Sequence, residues 1–189
     1  MIAEIALAFN LILAQPSPAY QLDIDCVIYS ETSKTIGNGS AVALGDSRFT
    51  AFHVVQNCVG QPEGEAYPEI DLYVMQRGDA GQCRNAADFE PVIYLGYPVM
   101  TDGRVTNELE TDSGQVLRQG RTLGIWNSKT QATELREGMT IATVNRVRGG
   151  YSGGPVVSAL DGRVVGMVIA TDGTNAVIVP IEAICEKLR

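Results

Sequence analysis

Between residues 21 and 180, no apolar run goes far before a glycine, proline or aspartate interrupts it. Residues 21–30 (QLDIDCVIYS) alternate and carry β-branched side chains, so they read as a strand. SAVAL (40–44) and RFTAF (48–52) flank Gly45-Asp46-Ser47, which makes a hairpin with a short turn. IDLYVM (70–75) and PVIYLGYP (91–98) are further strands. From 101 to 131 the strands are expected to be short and glycine-spaced, as RVTNELE, GQVLRQG and RTLGIWN. TIATVN (140–145) is a strand, PVVSAL and RVVGMVIA form a hairpin across Asp161-Gly162, and NAVIVP (175–180) is a last strand. After residue 20, helix is expected in two places. VVQNC after His53 allows one turn, and residues 181–189 put Ile181, Ile184, Cys185 and Leu188 on one face after Pro180. The 20 glycines and 8 prolines fit so many turns. Many short strands and one terminal helix predict an all-β fold of barrels or a sandwich, with a weak boundary near residues 100–103.

Hydrophobic residues make up 45 % of the 189, enough for a sizeable core, and the 19 % that are charged argue against disorder. The net charge of −8 disfavours nucleic acid, whose phosphates want a basic face. No apolar run after residue 20 is long enough to span a bilayer, so no membrane span is expected in the mature domain. Residues 1–19 stand apart. IALAFNLILA is apolar except for Asn10, and QPSPA then breaks any helix. This reads as a secretory signal ending at Ala14 or Ala19, which would make the protein secreted or periplasmic. Glu4 stands where such a signal carries a basic residue, and an N-terminal helix lying on the domain is the other reading. Cys26, Cys58, Cys83 and Cys185 form no C-x-x-C pair, and His53 is the single histidine, so a zinc site of usual spacing is not expected. Two disulfides would suit export; four buried thiols would suit the cytosol.

Gly149, Gly150, Gly153 and Gly154 crowd around Ser152, ahead of Pro155. Glycine is used where backbone turns sharply or must approach another group. A hairpin loop would explain the cluster; so would a nucleophilic serine with bare N–H groups around a developing oxyanion. Residues 150–154 also fit the G-x-S-x-G elbow of α/β-hydrolases, but there the histidine follows the serine, and here none does. A serine hydroxyl needs a base, and only His53, at the end of a strand, can serve. The acid that orients it would lie between them. Asp71, Asp79, Asp88, Asp102 and Asp112 are available, with several glutamates, and Asp71 alone opens an apolar strand. Buried there it would need a partner. Asp88 is the runner-up, while Asp79 and Asp112 sit in polar turn sequence and read as surface.

His53 before Ser152, in these words, resembles the trypsin-like (chymotrypsin-fold) serine peptidases of the compact bacterial or viral type. The resemblance rests on GNGSAVALGDSRFTAFHVV (37–55), on IDLYVM and on GGYSGGPVVSALDGRVVGMVIA (149–170), and NAVIVPIEAI matches the strand-then-helix ending. It covers roughly residues 21–189. It implies two six-stranded antiparallel β-barrels, about 20–98 and 103–180, and a C-terminal helix at 181–189. It implies an endopeptidase acting on protein or peptide substrates without cofactor or metal. Ser152 would attack, His53 would carry the proton, Asp71 would orient His53, and the N–H groups of Gly150 and Ser152 would form the oxyanion hole. Two departures stand out. Asp71 follows His53 by only 18 residues, and Tyr151 replaces the Asp that mammalian-type members pair with a freed amino terminus. A catalytically silent peptide-binding module on the same fold is the alternative. Arg146 and Arg148 would either favour an acidic substrate side chain or face solvent. Oligomeric state is not legible. Cys58 and Cys83 both fall in the first barrel and could meet there. In the family the terminal helix packs back on that barrel, which implies a second bond, Cys26–Cys185.

Overall fold

The computed structural model describes residues 19–21, 26–30, 33–37, 39–56, 63–98, 108–127 and 131–189. The N-terminal apolar segment, Cys58 and Asp102 lie outside the described residues. Thirteen strands are described, in chain order β1 (Ala19–Gln21), β2 (Cys26–Ser30), β3 (Ser33–Gly37), β4 (Ser40–Leu44), β5 (Ser47–Ala51), β6 (Glu65–Tyr67), β7 (Leu72–Gln76), β8 (Pro91–Gly96), β9 (Glu110–Asn127), β10 (Ala132–Thr143), β11 (Pro155–Ser158), β12 (Val164–Thr171) and β13 (Asn175–Pro180). A single helical turn, α1 (Phe52–Val55), follows β5; a 3-10 turn (Pro68–Ile70) precedes β7; and α2 (Ile181–Leu188) closes the chain.

The protein is mostly β, in two parts. The C-terminal part is a closed antiparallel barrel of six strands in the order β10-β13-β12-β11-β8-β9. The N-terminal part is a five-stranded sheet, β1-β4-β5-β7-β6, with β2 and β3 forming a separate ribbon. One of the two expected barrels is thus closed. The other is an open sheet among the described residues, because β2 and β3 pair with each other and not with its edges. The expected division at residue 100 also moves. β8 bonds to β9 and β11, so this strand belongs to the barrel of the second half.

Strand alternation builds two cores. Val92 and Tyr94 of β8, Val156 of β11 and Ala176 and Ile178 of β13 turn into the barrel, together with Val116 and Ala142. Their neighbours Ile93, Leu95, Val157 and Val179 turn outward. They meet Val42, Phe49, Leu72 and Val74 of the first sheet and Ile181, Ile184 and Leu188 of α2. Burial on both faces is why these strands read as unbroken apolar runs. The helix is held by the face the sequence predicts, with Ile181, Ile184, Cys185 and Leu188 all buried.

The glycine-spaced strands expected from 101 to 131 are, in their described part, one 18-residue strand, β9. Gly114 does not end it. A Cβ there would lie 1.8 Å from the Thr143 carbonyl oxygen, so this glycine lets β10 approach closely. β10 likewise begins at Ala132, eight residues before the expected start.

The disulfide is Cys83–Cys185, with Cα atoms 6.5 Å apart, so both expected pairings fail. The reason is where the 77–90 segment runs. Arg77 donates to the Lys187 carbonyl, and Asn85 both donates to Glu182 Oε2 (2.9 Å) and accepts from its N–H (3.1 Å). The loop carrying Cys83 therefore lies along α2 and brings its sulfur to Cys185.

Candidate active site

β5 ends at Thr50-Ala51 and passes into α1 at Phe52, and the first N–H groups of α1 need acceptors from elsewhere, since Ala51 offers no side-chain cap. Asp71 supplies them. Its carbonyl accepts Phe52 N–H (2.9 Å), and its Oδ1 accepts His53 N–H (2.9 Å). Its other oxygen, Oδ2, lies 2.6 Å from His53 Nδ1. One aspartate thus fixes both the backbone and the ring of His53. It can do so because it ends the 3-10 turn in a left-handed conformation (φ 56°), which aspartate tolerates better than most residues. Asp71 is 6 % exposed, so the partner demanded by burial is the histidine. A carboxylate in this position only accepts, so a hydrogen bond here requires the hydrogen on Nδ1.

The runner-up acid lies elsewhere. Asp88 is exposed and accepts from Gln119 Nε2 at 3.3 Å. Asp79, as expected, is on the surface, where it accepts Gly81 N–H.

The Ser152 turn is clamped from the first sheet. Ser40 N–H donates to the Ser152 carbonyl (2.9 Å), and Ser40 Oγ donates to the Gly150 carbonyl (2.8 Å). The same Oγ accepts Tyr97 N–H, and Thr50 Oγ1 holds the Ser40 carbonyl. Gly153, at φ 82°, lets the turn come this close: a Cβ there would sit 2.2 Å from both Ser40 O and Thr50 Oγ1, and 3.0 Å from Ala51 N. Gly39 lies between the turn and α1, its Cβ position 3.2 Å from Ser152 O and 2.5 Å from Val54 Cγ1. Val54 follows His53 directly, so the histidine and serine segments flank one glycine. Within the turn, Tyr151 N–H, Gly153 N–H and Gly154 N–H are bonded to Arg148 O, Val168 O and Tyr151 O. The N–H groups of Gly150 and Ser152 are not among these donors. Gly150 itself adopts φ 96°, a conformation glycine alone takes readily.

Sequence reasoning missed two residues that shape this site. Ser40 looked like one more strand residue. Asp112 read as surface, yet it is buried (9 % exposed). Its Oδ2 accepts the N–H groups of Asn145, Arg146 and Val147, and its Oδ1 that of Ser113. Burial pushes the Asp112 carboxyl up, but these four N–H groups outweigh it and hold the group below the usual carboxylate range. The segment leading to Ser152 is therefore pinned by its backbone. No local pattern marks either residue; both act across more than 30 positions of sequence. Arg148 is neutralised by Glu110, Nη2 reaching both carboxylate oxygens at 2.9 and 3.0 Å. That uses up one of the two cations considered for an acidic substrate.

No family profile matches the sequence, and no curated protein does. Solved structures do. The active form of the Rv3671c protease from M. tuberculosis matches with a TM-score of 0.70 at 17 % identity, over 97 % of this chain and 85 % of that one. The HtrA-type protease AlgW with tripeptide matches at 0.64 and 17 % identity, over 95 % of this chain and 61 % of that one. Deg5 matches at 0.60 and 16 %, over 96 % and 92 %. At such identities the likeness is one of fold.

Proposed function

We propose that this chain, which has the fold of the trypsin-like (chymotrypsin-fold) serine peptidases, is a serine endopeptidase acting through an acyl-enzyme on Ser152. The observation that carries the reading is the double hold of Asp71 on His53, at the ring nitrogen (2.6 Å) and at the main chain (2.9 Å). A loop with no chemistry to do has no need of an imidazole oriented in this way. In the proposed reaction His53 Nε2 takes the proton of Ser152 Oγ as that oxygen bonds to the scissile carbonyl carbon. The carbonyl oxygen, now negative, is received by the N–H groups of Gly150 and Ser152. Collapse breaks the C–N bond, the amine leaves with the proton from Nε2, and water releases the acyl group by the same route. Asp71 keeps the hydrogen on Nδ1 and stabilises the imidazolium between the two transfers.

Substrates are then proteins or peptides in extended form. The Cys83–Cys185 bond supports work in an oxidising compartment, secreted or periplasmic. Among the described residues no helix is long and apolar enough to cross a membrane.

A fluorophosphonate probe tests the reading, since it bonds only to an activated serine. The wild-type chain should be labelled on Ser152, and Ser152→Ala should lose labelling and at least about 10³-fold in kcat while staying folded. A folded wild-type chain that takes no probe would favour the silent peptide-binding module.

A further inference from the structure

We propose that the Tyr151 side chain is a positioning group that holds the Ser152 turn in its working shape from inside the barrel, with no freed amino terminus required. The inference rests on the reading of Ser152 as the nucleophile. Tyr151 stands between the two proposed oxyanion donors, Gly150 and Ser152, so any shift of its Cα moves both N–H groups. It is fully buried, at 0 % exposure, in the barrel core with Tyr94, Val116, Val147 and Val168. Gly96 makes the room. A Cβ on that glycine would stand 2.8 Å from Tyr151 Cδ1, 2.9 Å from Cγ and 3.0 Å from Cα. The main chain of Tyr151 closes the turn on both sides, donating to Arg148 O and accepting from Gly154 N–H. Ser40 grips the carbonyls of Gly150 and Ser152 from the first sheet. The turn is thus fixed between a clamp on one side and an anchor on the other.

The hydroxyl shows what the anchor is made of. Tyr151 Oη is buried without a hydrogen-bond partner among the described residues, so it opposes folding. The binding of the turn to the barrel comes from the ring. Burial, followed by the carboxylates of Glu110 and Asp112, pushes the phenol up to about 12, and it stays neutral at working pH. A neutral ring packed in a finished barrel needs no ion pair to seat it.

Three variants separate anchoring from mere bulk. Tyr151→Phe keeps the ring and should retain kcat within about twofold, with a higher melting temperature. Tyr151→Leu, which keeps the site apolar but not filled, should lose on the order of 10²-fold in kcat with KM little changed. Binding of a peptide boronate, which needs the oxyanion donors, should weaken in parallel. Gly96→Ala, which crowds the ring from the other side, should repeat the Tyr151→Leu pattern. A tag joined directly ahead of residue 20, in place of residues 1–19, should leave the rate of fluorophosphonate labelling unchanged. Wild-type kcat and boronate affinity in folded Tyr151→Leu or Gly96→Ala, or loss of labelling in the tagged chain, overturns the anchor alone. A wild-type chain that is never labelled overturns the peptidase reading, and the anchor with it.

Discussion

Asp71 carries two duties in one side chain, and they separate under substitution. Asp71→Asn keeps an oxygen for the His53 N–H, so α1 retains its acceptor and the fold should survive. Facing Nδ1, the amide can present its NH2 group, which stabilises the wrong imidazole tautomer. Peptidase activity at neutral pH should fall by roughly 10³- to 10⁴-fold, with the melting temperature little changed. Asp88→Asn should do nothing of the kind, since Asp88 bonds Gln119 on the surface. If kinetics on the two variants come out reversed, the acid has been misassigned.

At the scale of elements, the approach to Ser152 is a backbone problem. Residues 145–147 have no ladder of their own, and the Asp112 carboxylate collects their three N–H groups. Asp112→Asn leaves some of those donors unpaired and should destabilise the fold by about 2 kcal/mol in urea titrations at neutral pH. The dependence on pH follows from the direction of the shift. Folded Asp112 stays ionised to lower pH than an unfolded carboxyl does. Its contribution is full above about pH 4 and disappears as the pH falls through the lower folded value. The stability gap between wild type and Asp112→Asn should therefore narrow below about pH 4. A gap of equal size at neutral and acid pH would mean that the carboxylate charge does not hold the segment. The contact between serine turn and first sheet is equally local. Gly153→Ala places a methyl group 2.2 Å from Ser40 O and Thr50 Oγ1 in a φ of 82°, so it should lower both melting temperature and activity. Unchanged values for both would refute the close approach.

Across the whole molecule, Cys83–Cys185 closes a loop of 102 positions and ties the segment before the barrel to the last helix. By chain entropy such a link contributes about 4–5 kcal/mol. Cys83→Ser should show that loss in denaturant, whereas a stability equal to wild type would leave the bond without a structural role. The cysteines also show the limit of reading along the chain. Domain position suggested Cys58 as the partner of Cys83, the family resemblance implied Cys26 as the partner of Cys185, and both were wrong, because pairing depends on which loop lies along α2. The same holds for the barrel boundary: β8 is apolar on both faces, and nothing local says which sheet it completes. By contrast, the hairpin turns, the buried face of α2, the placement of His53 at a strand end and the glycine frame of Ser152 were all legible. Each rests on interactions within a few residues, where period, turn chemistry and backbone freedom act directly. His53 and Asp71, 18 residues apart, sit at the edge of that reach, and a buried aspartate's need for a partner joined them. Asp112, Ser40 and the fully buried Tyr151 lay beyond it. Their roles come from donors and cavities assembled out of distant segments, and only the tertiary structure brings those together.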